Sequence, residues 1–332
     1  MHPGSGSKVF EGRISHSLKI KKIGEFGLIA YLRRRFSAKR GYIGIGDDCA
    51  FIPPDVVISS DVVVEDVHFD LSYLKPEEVG HRATTACLSD LAAAGARPTG
   101  ILVSAVMKPL LELQAFKGIY RGIENVINRC NCQLLGGDLC QGRRIVLSLF
   151  GIGRTRNPLL RSGAKPGDVV YLSGYSGLSE AGRLVLKGGL SRKKYRMVVN
   201  RHIRPYPRLK QGLKLRKKAS AVIDLSDGLL VDLNHIAEES GVGIEIDNVP
   251  IHPELKRLEK ETGISAELLA LSGGEDFELI FTSRRELRGF FRIGQVIRGG
   301  GLSYKDKPIE PSGYRHFNKK SKQQPFSYSR KV

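Results

Sequence analysis

Acidic residues recur in six short motifs flanked by glycine or serine, and together these motifs could bind metal ions. An aspartate in such a position is often only a helix cap or a turn former. Six of them in one chain favour a metal site, because Mg²⁺ takes several oxygen ligands from carboxylates, phosphates and water. No histidine and cysteine spacing typical of zinc competes with this interpretation. The motifs are GDD (46–48), SSD (59–61), LSD (88–90), GGD (136–138), DLSD (224–227) and GGED (273–276).

These motifs and the charge of the chain indicate phosphoryl transfer. Glycines beside the carboxylates let backbone N–H groups approach an anion. The sequence has 53 Lys and Arg against 34 Asp and Glu, and this net charge of +19 would attract an anionic substrate. It contains no GxxxxGK[ST] loop, no GxGxxG after a predicted strand and no protein-kinase catalytic loop. We therefore expect metal ions to hold ATP.

Part of the positive charge lies in residues 191–218, which hold twelve Lys or Arg and no acid, and in the C-terminal tail. Such segments form either a solvated basic face or a surface for RNA or DNA. No nucleic-acid motif accompanies them, so we favour the solvated face and expect no nucleic-acid partner. A basic RNA- or anion-binding protein on an idle scaffold is the alternative. Its binding would fall steeply with salt and would not need Mg²⁺.

Composition indicates a cytoplasmic protein with no membrane partner. No stretch approaches the roughly 18 apolar residues that span a bilayer, and the start of the chain lacks the apolar core of a signal peptide. The five cysteines are odd in number and show no CxxC spacing, so we interpret them as reduced, mostly buried thiols.

The elements that must position the motifs alternate between strands and helices, which indicates an α/β or α+β fold. The length of 332 residues suits two domains. The stretch 154–168 has Pro, Gly and Ser but no periodicity, and it is the predicted boundary between them.

Three helices and one turn are predicted near the motifs. The first helix covers 24–36 and is amphipathic, the second covers 76–94, and a third occupies roughly 192–218. Asp90 falls on the apolar stripe of the second helix, where a lone carboxylate must cap, pair or bind a cation. We predict a turn at 134–142, around GGD.

The motifs, taken in order, closely resemble the thiamine-monophosphate kinase family, from about Gly24 to Phe317. That family belongs to the superfamily of aminoimidazole ribonucleotide synthetase and selenophosphate synthetase. One motif alone would mean little, whereas so many in the right order are highly specific. The motifs include GIGDDCA, SSDVVVEDVHF, LSDLAAAGA, LLGGD, RSGAKPGD, RPYPR, IDLSDGLL, ALSGGEDFEL and the final GYRHF.

The resemblance implies a two-domain fold like that of aminoimidazole ribonucleotide synthetase, with mixed sheets covered by helices. We expect an N-terminal extension (1–23), an ATP- and Mg²⁺-binding dimerisation domain (24–155), a C-terminal domain (156–317) and a basic tail (318–332). The family also implies a homodimer through the first domains.

The implied reaction is the phosphorylation of thiamine monophosphate by ATP to thiamine diphosphate, by direct in-line transfer with several Mg²⁺ ions. A phosphate monoester has a second pKa of about 6, so the acceptor oxygen is already anionic at neutral pH. No general base is therefore expected. The difficulty is to bring two polyanions together, which metal ions solve by neutralising and aligning them.

The resemblance also assigns site residues. For the substrate it implies His68, Glu275 and Tyr314, although His68 could be a core histidine and Tyr314 could only anchor the C-terminus. Asp47 is either a ligand or a structural cap. The implied ATP contacts are Gly137, Asp138, Arg161 and Ser226. The implied metal ligands, some through water or a backbone carbonyl, are Asp48, Ser59, Ser60, Asp61, Asp90, Asp138, Asp224 and Asp227.

Two of the departures from the family pattern bear on the site. Leu139, Cys140 and Gln141 follow GGD, where the family has hydroxyl residues and an arginine, and Asp66 replaces the glycine before VHF. These changes put an ATP contact and the surroundings of His68 in doubt.

Another ATP-using enzyme of the superfamily is the nearer alternative. Selenophosphate synthetase would bring a reactive N-terminal cysteine, but the first cysteine here is Cys49, inside the motif GIGDDCA. The hydrogenase-maturation relative would need a C-terminal cysteine, and this chain ends in SRKV. We therefore disfavour both.

Overall fold

The computed structural model describes residues 19–314 and 316–317, so most of the predicted N-terminal extension and all of the basic tail lie outside it. The helices are α1 (Ile20–Arg35), α2 (Pro76–Ala93), α3 (Leu113–Arg129), α4 (Leu178–Lys187), α5 (Arg196–Ile203), α6 (Leu209–Leu215), α7 (Leu229–Ser240), α8 (Pro253–Thr262) and α9 (Ala266–Ser272). The strands are β1 (Ala50–Ile52), β2 (Val56–Val64), β3 (Arg97–Met107), β4 (Gln133–Gln141), β5 (Val146–Arg154), β6 (Val169–Leu172), β7 (Ala221–Asp224), β8 (Gly243–Ile246), β9 (Leu279–Ser283), β10 (Phe291–Ile297), β11 (Gly301–Tyr304) and β12 (Lys307–Ile309).

The first domain, β1–β5 with α2 and α3, is built on a five-stranded sheet of order β1-β2-β5-β3-β4. The β3–β4 pair is parallel and the other pairs are antiparallel. Burial alternates along β3 and β5, because successive side chains of a strand face opposite sides of the sheet. Ile101, Val103 and Leu149 are fully or almost fully buried in the core on the helix side, whereas their neighbours on the other face are half-buried.

The second domain, β6–β12 with α4–α9, contains a seven-stranded sheet of order β12-β11-β8-β10-β6-β9-β7. Only the β11–β8 pair within this sheet is parallel. Strand β9 is buried along its whole length, as expected of a strand with neighbours on both sides and helices over its faces. Two mixed sheets covered by helices confirm the predicted fold class, and the domain bounds at 155 and 156 stay a prediction.

Helix α2 lies between the two domains. Its predicted span is confirmed within one residue: Pro76 occupies the first turn, Glu78 Oε2 accepts the Lys75 N–H at 2.8 Å, and Gly95 follows the helix with a left-handed φ of 61°. Most of its side chains are buried, because α3 packs on one side and the second domain on the other. The carbonyl oxygen of Pro205 accepts bonds from His81 Nε2 (2.9 Å) and Thr85 Oγ1 (3.3 Å) across the interface.

Three local predictions are wrong. The segment predicted as a turn at 134–142 is strand β4 (Gln133–Gln141) up to its last residue, because β3 pairs with it in parallel. The helix predicted over 192–218 is two helices, α5 and α6, with Pro205 and Pro207 between them; proline removes a donor and disfavours a helical residue before it. The helix predicted over 24–36 exists as α1 but is not amphipathic, because it buries no residue; it contacts α7, where the Phe26 ring meets His235 edge-on at 5.1 Å.

None of the described helices is both long enough and apolar enough to cross a membrane.

Gly212 sets the distance between α6 and α2. A Cβ atom there would lie 1.9 Å from the Ala92 carbonyl oxygen. We expect Gly212→Ala to lower the free energy of unfolding by about 1–2 kcal/mol, since overpacking exceeds the gain in helix propensity. Urea unfolding measures this, with Gly300→Ala as the control because nothing lies within 4 Å of its Cβ position. Equal stability of the two variants would contradict such close packing.

Candidate active site

Four aspartates from four different segments converge between the domains. Asp48 lies in the loop before β1, Asp61 on β2, Asp90 on α2 and Asp224 at the end of β7. Carboxylate oxygens of Asp48, Asp90 and Asp224 all lie within 4.8 Å of one another, and Asp61 lies close enough to help raise the pKa of Asp90. We call these four residues the aspartate cluster. The sequence predicted all four as metal ligands, and the structure brings them together.

Burial makes the aspartate cluster electrostatically unfavourable when it is fully ionised. Burial, and then repulsion between the neighbouring carboxylates, raises the pKa of Asp90 and Asp224 well above the usual value. The pKa of Asp61 rises to about 6 and that of the adjacent Asp47 to about 7, in both cases mainly through burial. The cluster therefore needs positive charge beside it.

Arg161 supplies one positive charge to the cluster. Its Nε and Nη2 donate to Asp48 Oδ1 at 3.1 and 2.7 Å, and its backbone N–H donates to Asp47 Oδ1 at 3.2 Å. Asp47 thus holds the backbone of Arg161 and is not part of the tight cluster. One guanidinium cannot balance four closely placed carboxylates, so the site suits an additional cation.

The donor atoms of the cluster fit Mg²⁺. All of them are carboxylate oxygens, the ligands that hard divalent cations prefer. Asp61 Oδ2 is buried and has no hydrogen-bond partner within residues 19–314 and 316–317. Such an atom is expected to have a partner in the working protein. A bound cation would provide it.

The DLSD loop is held by an aspartate that sequence reasoning missed. Asp232 Oδ2 accepts bonds from the backbone N–H groups of Ser226, Asp227 and Gly228, at 3.1–3.2 Å. Ser89 Oγ adds a bond of 2.7 Å to Asp224 Oδ2. The sequence did contain a sign of this role: Asp232 is the single charged residue in the apolar run LLVDL. A carboxylate buried there needs hydrogen-bond donors.

A cavity of about 1120 Å³ joins the aspartate cluster to the predicted substrate residues. His68, Glu275 and Tyr314 line it together with the four aspartates, Ser60, Ser226 and Asp227. His68 Nδ1 accepts the Val64 N–H at 3.1 Å, and its ring lies 6.4 Å from the ring of Tyr314. His68 is thus part of a cavity wall, and burial keeps its pKa below the usual value.

Three predicted residues lie away from the cavity. Gly137 and Asp138 are on the exposed edge strand β4. In the sheet register, Gly137 lies in the same row as Asp61, three strands away or roughly 14 Å at the usual strand spacing. The Ser59 hydroxyl points into the core and donates to the Cys87 carbonyl at 2.9 Å. Their roles stay predictions.

Comparison with known proteins identifies the family. Residues 46–155 match the model of the AIR synthase related protein N-terminal domain, and residues 165–307 match that of the C-terminal domain. The chain is 35% identical to the thiamine-monophosphate kinase of Aquifex aeolicus, over 90% of this chain and all of that protein. It belongs to the thiamine-monophosphate kinase family. The Escherichia coli K12 member is 38% identical over 89% of this chain and 98% of its own.

Solved structures of the thiamine-monophosphate kinase family have the same fold. The structure of AaThiL complexed with AMPPCP and TMP has a TM-score of 0.85 and 34% identity, and covers 91% of this chain and 100% of that one. The thiamine monophosphate kinase of Aquifex aeolicus gives a TM-score of 0.81 at 33% identity, with 89% and 100% covered. These similarities extend over both domains.

The buried charge predicts how pH changes stability. Asp61 has a pKa of about 6 in the fold against 3.8 ordinarily, so its ionisation destabilises the metal-free fold progressively as pH rises from about 4 to 6. Asp61→Asn removes this effect. Its gain in unfolding free energy over the wild type should grow by about 1 kcal/mol between pH 5 and 7.5.

Calorimetry of both proteins without metal measures this gain, and the histidines common to both cancel. Added Mg²⁺ at pH 7.5 should raise the melting temperature of the wild type more than that of the variant. A gain that is the same at both pH values would contradict the assignment.

Proposed function

We propose that this protein transfers the terminal phosphoryl group of ATP to thiamine monophosphate, giving ADP and thiamine diphosphate. The observation that best supports this proposal is that one cavity is lined both by the aspartate cluster and by His68, Glu275 and Tyr314. The first set suits metal-bound phosphates, and the second suits a ring system with a positive charge. The similarity to a structure complexed with AMPPCP and TMP supports both assignments.

The residues of the phosphate side need to align two polyanions rather than to move a proton. The acceptor oxygen is anionic at neutral pH, since its second pKa is about 6. Arg161 would contact ATP, with Gly137, Asp138 and Ser226. Several Mg²⁺ ions would neutralise and align the phosphates when bound. Their proposed ligands are Asp48, Ser59, Ser60, Asp61, Asp90, Asp138, Asp224 and Asp227.

The residues of the acceptor side suit the thiamine part of the substrate. The carboxylate of Glu275 attracts the cationic thiazolium, and the ring of Tyr314 can stack on it or on the pyrimidine. Tyr314 is fixed by its backbone N–H, which donates to the Asp227 carbonyl oxygen at 3.0 Å. The substrate contact is thereby tied to the loop that carries the proposed metal ligands.

A homodimer through the first domains is part of the proposal. The sheet face turned away from α2 and α3 has no cover within the described chain, and Leu102, Val106 and Phe150 on it are only half-buried. All of β4 is exposed, including Leu135 and Leu139 at 50% and 58%. An apolar sheet face beside an open edge strand suits a second copy of the same sheet.

Leu139→Arg tests the dimer. A charge on β4 should convert a dimeric wild type into a monomer, because a buried unpaired charge weakens an interface strongly. Light scattering behind a sizing column gives the mass. Met197→Arg, at an exposed position on α5 of the second domain, is the control and should stay dimeric. A monomeric wild type would contradict the proposal.

We also propose a cytoplasmic location without a nucleic-acid partner. All five cysteines are free thiols, which supports a reducing compartment. In the basic segment 191–218, Arg201 and Arg208 both pair with the buried Glu278. Part of that charge therefore supports the fold instead of facing a polyanion.

Asp90→Asn tests the reaction. The purified protein is incubated with thiamine monophosphate, ATP and Mg²⁺, and the products are separated. We expect thiamine diphosphate from the wild type, none without Mg²⁺, and at least about 100-fold less from the variant, since metal-assisted charge stabilisation contributes several kcal/mol.

Asp55→Asn is the matched control, because Asp55 pairs with Arg154 (2.9 Å) outside the cavity lining and should leave the rate unchanged. A folded wild type that makes no thiamine diphosphate would disprove the assignment.

A further inference from the structure

The ion pair between Arg82 and Glu275 joins the two domains at the wall of the cavity. Arg82 Nη2 lies 2.6 Å from Glu275 Oε2. The arginine side chain is only 6% exposed, whereas the glutamate is 37% exposed and lines the cavity. A charge-assisted bond with one partner buried is stronger and more directional than a surface pair.

Contacts on the second domain also fix Arg82. Its Nη1 donates to the His202 carbonyl oxygen and lies 3.1 Å from His202 Nδ1. Ser179 Oγ lies 3.2 Å from the same ring nitrogen, and Ser179 N–H donates to Asp276 Oδ1 at 2.8 Å. Asp276 is the residue after Glu275, so these contacts form a closed ring that starts and ends at Arg82. This ring restricts the conformations open to the Arg82 side chain.

The backbone at Glu275 is equally constrained. Glu275 has a φ of 61°, in the left-handed region that a side chain rarely adopts. Its N–H donates to the Ser226 carbonyl oxygen at 2.8 Å, and a Cβ on Gly274 would come within 2.4 Å of the same oxygen. Strain of this kind persists where the surroundings hold it, often at a functional site.

Helix α2 sets the distance between this pair and the aspartate cluster. Arg82, Ala86 and Asp90 are spaced four residues apart, so they follow one face of the helix over roughly 12 Å. Ala86 and Asp90 both line the cavity. One rigid helix thus places a metal ligand at one position and the partner of Glu275 two turns away.

We propose that Arg82 is a positioning residue for substrate recognition: it fixes the Glu275 carboxylate at a set distance from the aspartate cluster, for the ring system of the phosphate acceptor. This inference rests on the proposed function. A carboxylate held at Oε2 keeps Oε1 in a fixed position, where it can meet a cationic or N–H-bearing ring. The small side chain of Ala86 leaves room between the two positions.

Arg82→Lys tests the proposal by steady-state kinetics with ATP and Mg²⁺. Lysine keeps the charge but cannot make the forked contacts to Glu275 and His202 together. We expect the KM for thiamine monophosphate to rise about 10- to 100-fold, as for the loss of an oriented charged contact. The KM for ATP should change by less than about twofold, because the aspartate cluster is intact.

Glu275→Asp breaks the same pair from the other side and keeps the charge, and it serves if Arg82→Lys does not fold. It should raise the same KM, and the double variant should add little to either single change. Thr85→Val is the matched control. It removes a bond across the same interface, to Pro205, at a buried position that does not line the cavity. It should lower the melting temperature and leave both KM values unchanged.

The outcomes separate this inference from the proposed function. An active wild type whose KM for thiamine monophosphate is unaffected in folded Arg82→Lys would overturn the role of Arg82 alone, and an unaffected KM in Glu275→Asp would overturn both that role and the proposed substrate contact of Glu275. Equal rises in the KM for thiamine monophosphate and for ATP would show a merely structural role and also overturn it. A wild type that does not phosphorylate thiamine monophosphate would overturn both.

Discussion

Repulsion among four closely placed carboxylates is the constraint on which the rest of this structure depends. Asp224 is buried, Asp48, Asp61 and Asp90 are half-buried at the cavity wall, and a single guanidinium, from Arg161, lies among them. Such an arrangement opposes folding unless the surrounding packing enforces it and a cation relieves it. The aspartate cluster therefore lowers the free energy of unfolding of the metal-free protein and favours the proposed binding of a cation.

Helix α2 is the main element that enforces the arrangement. It is buried on nearly all sides. Two neighbouring helices can approach it closely because each has a glycine against its backbone: Gly122 on α3 and Gly212 on α6. Because a protein interior packed this tightly is hard to deform, side chains along α2 keep fixed positions relative to one another. The same helix carries Asp90 and Arg82, so the proposed metal side and the proposed substrate side of the cavity are both attached to one rigid helix.

The acidic interior and the basic surface of the protein both fit the proposed phosphoryl transfer. Several acids are buried, among them Asp232, Asp276 and Glu278, and each has backbone or arginine partners. The net charge of +19 thus understates how basic the accessible surface is. A basic exterior attracts phosphates by long-range attraction, while the carboxylates act only at short range inside the cavity.

Much of the fold and part of the site could be predicted from the sequence. Helix α2, the alternation of strands and helices, and the acidic motifs follow from local patterns, which depend on neighbours a few residues apart. The order of these motifs then indicated the resemblance to a kinase family, which the comparison confirmed, and the resemblance supplied the candidate site residues.

What only the tertiary structure decided is how distant segments meet. Asp224 and Ser89 are bonded across 135 positions of sequence, and Glu275 meets Arg82 across the domain interface. The role of Asp232 was not predicted, because it depends on the folded DLSD loop. Strand β4 was not predicted either, because it depends on pairing with β3. Periodicity shows which face of an element is apolar, but it carries no information about which element lies opposite.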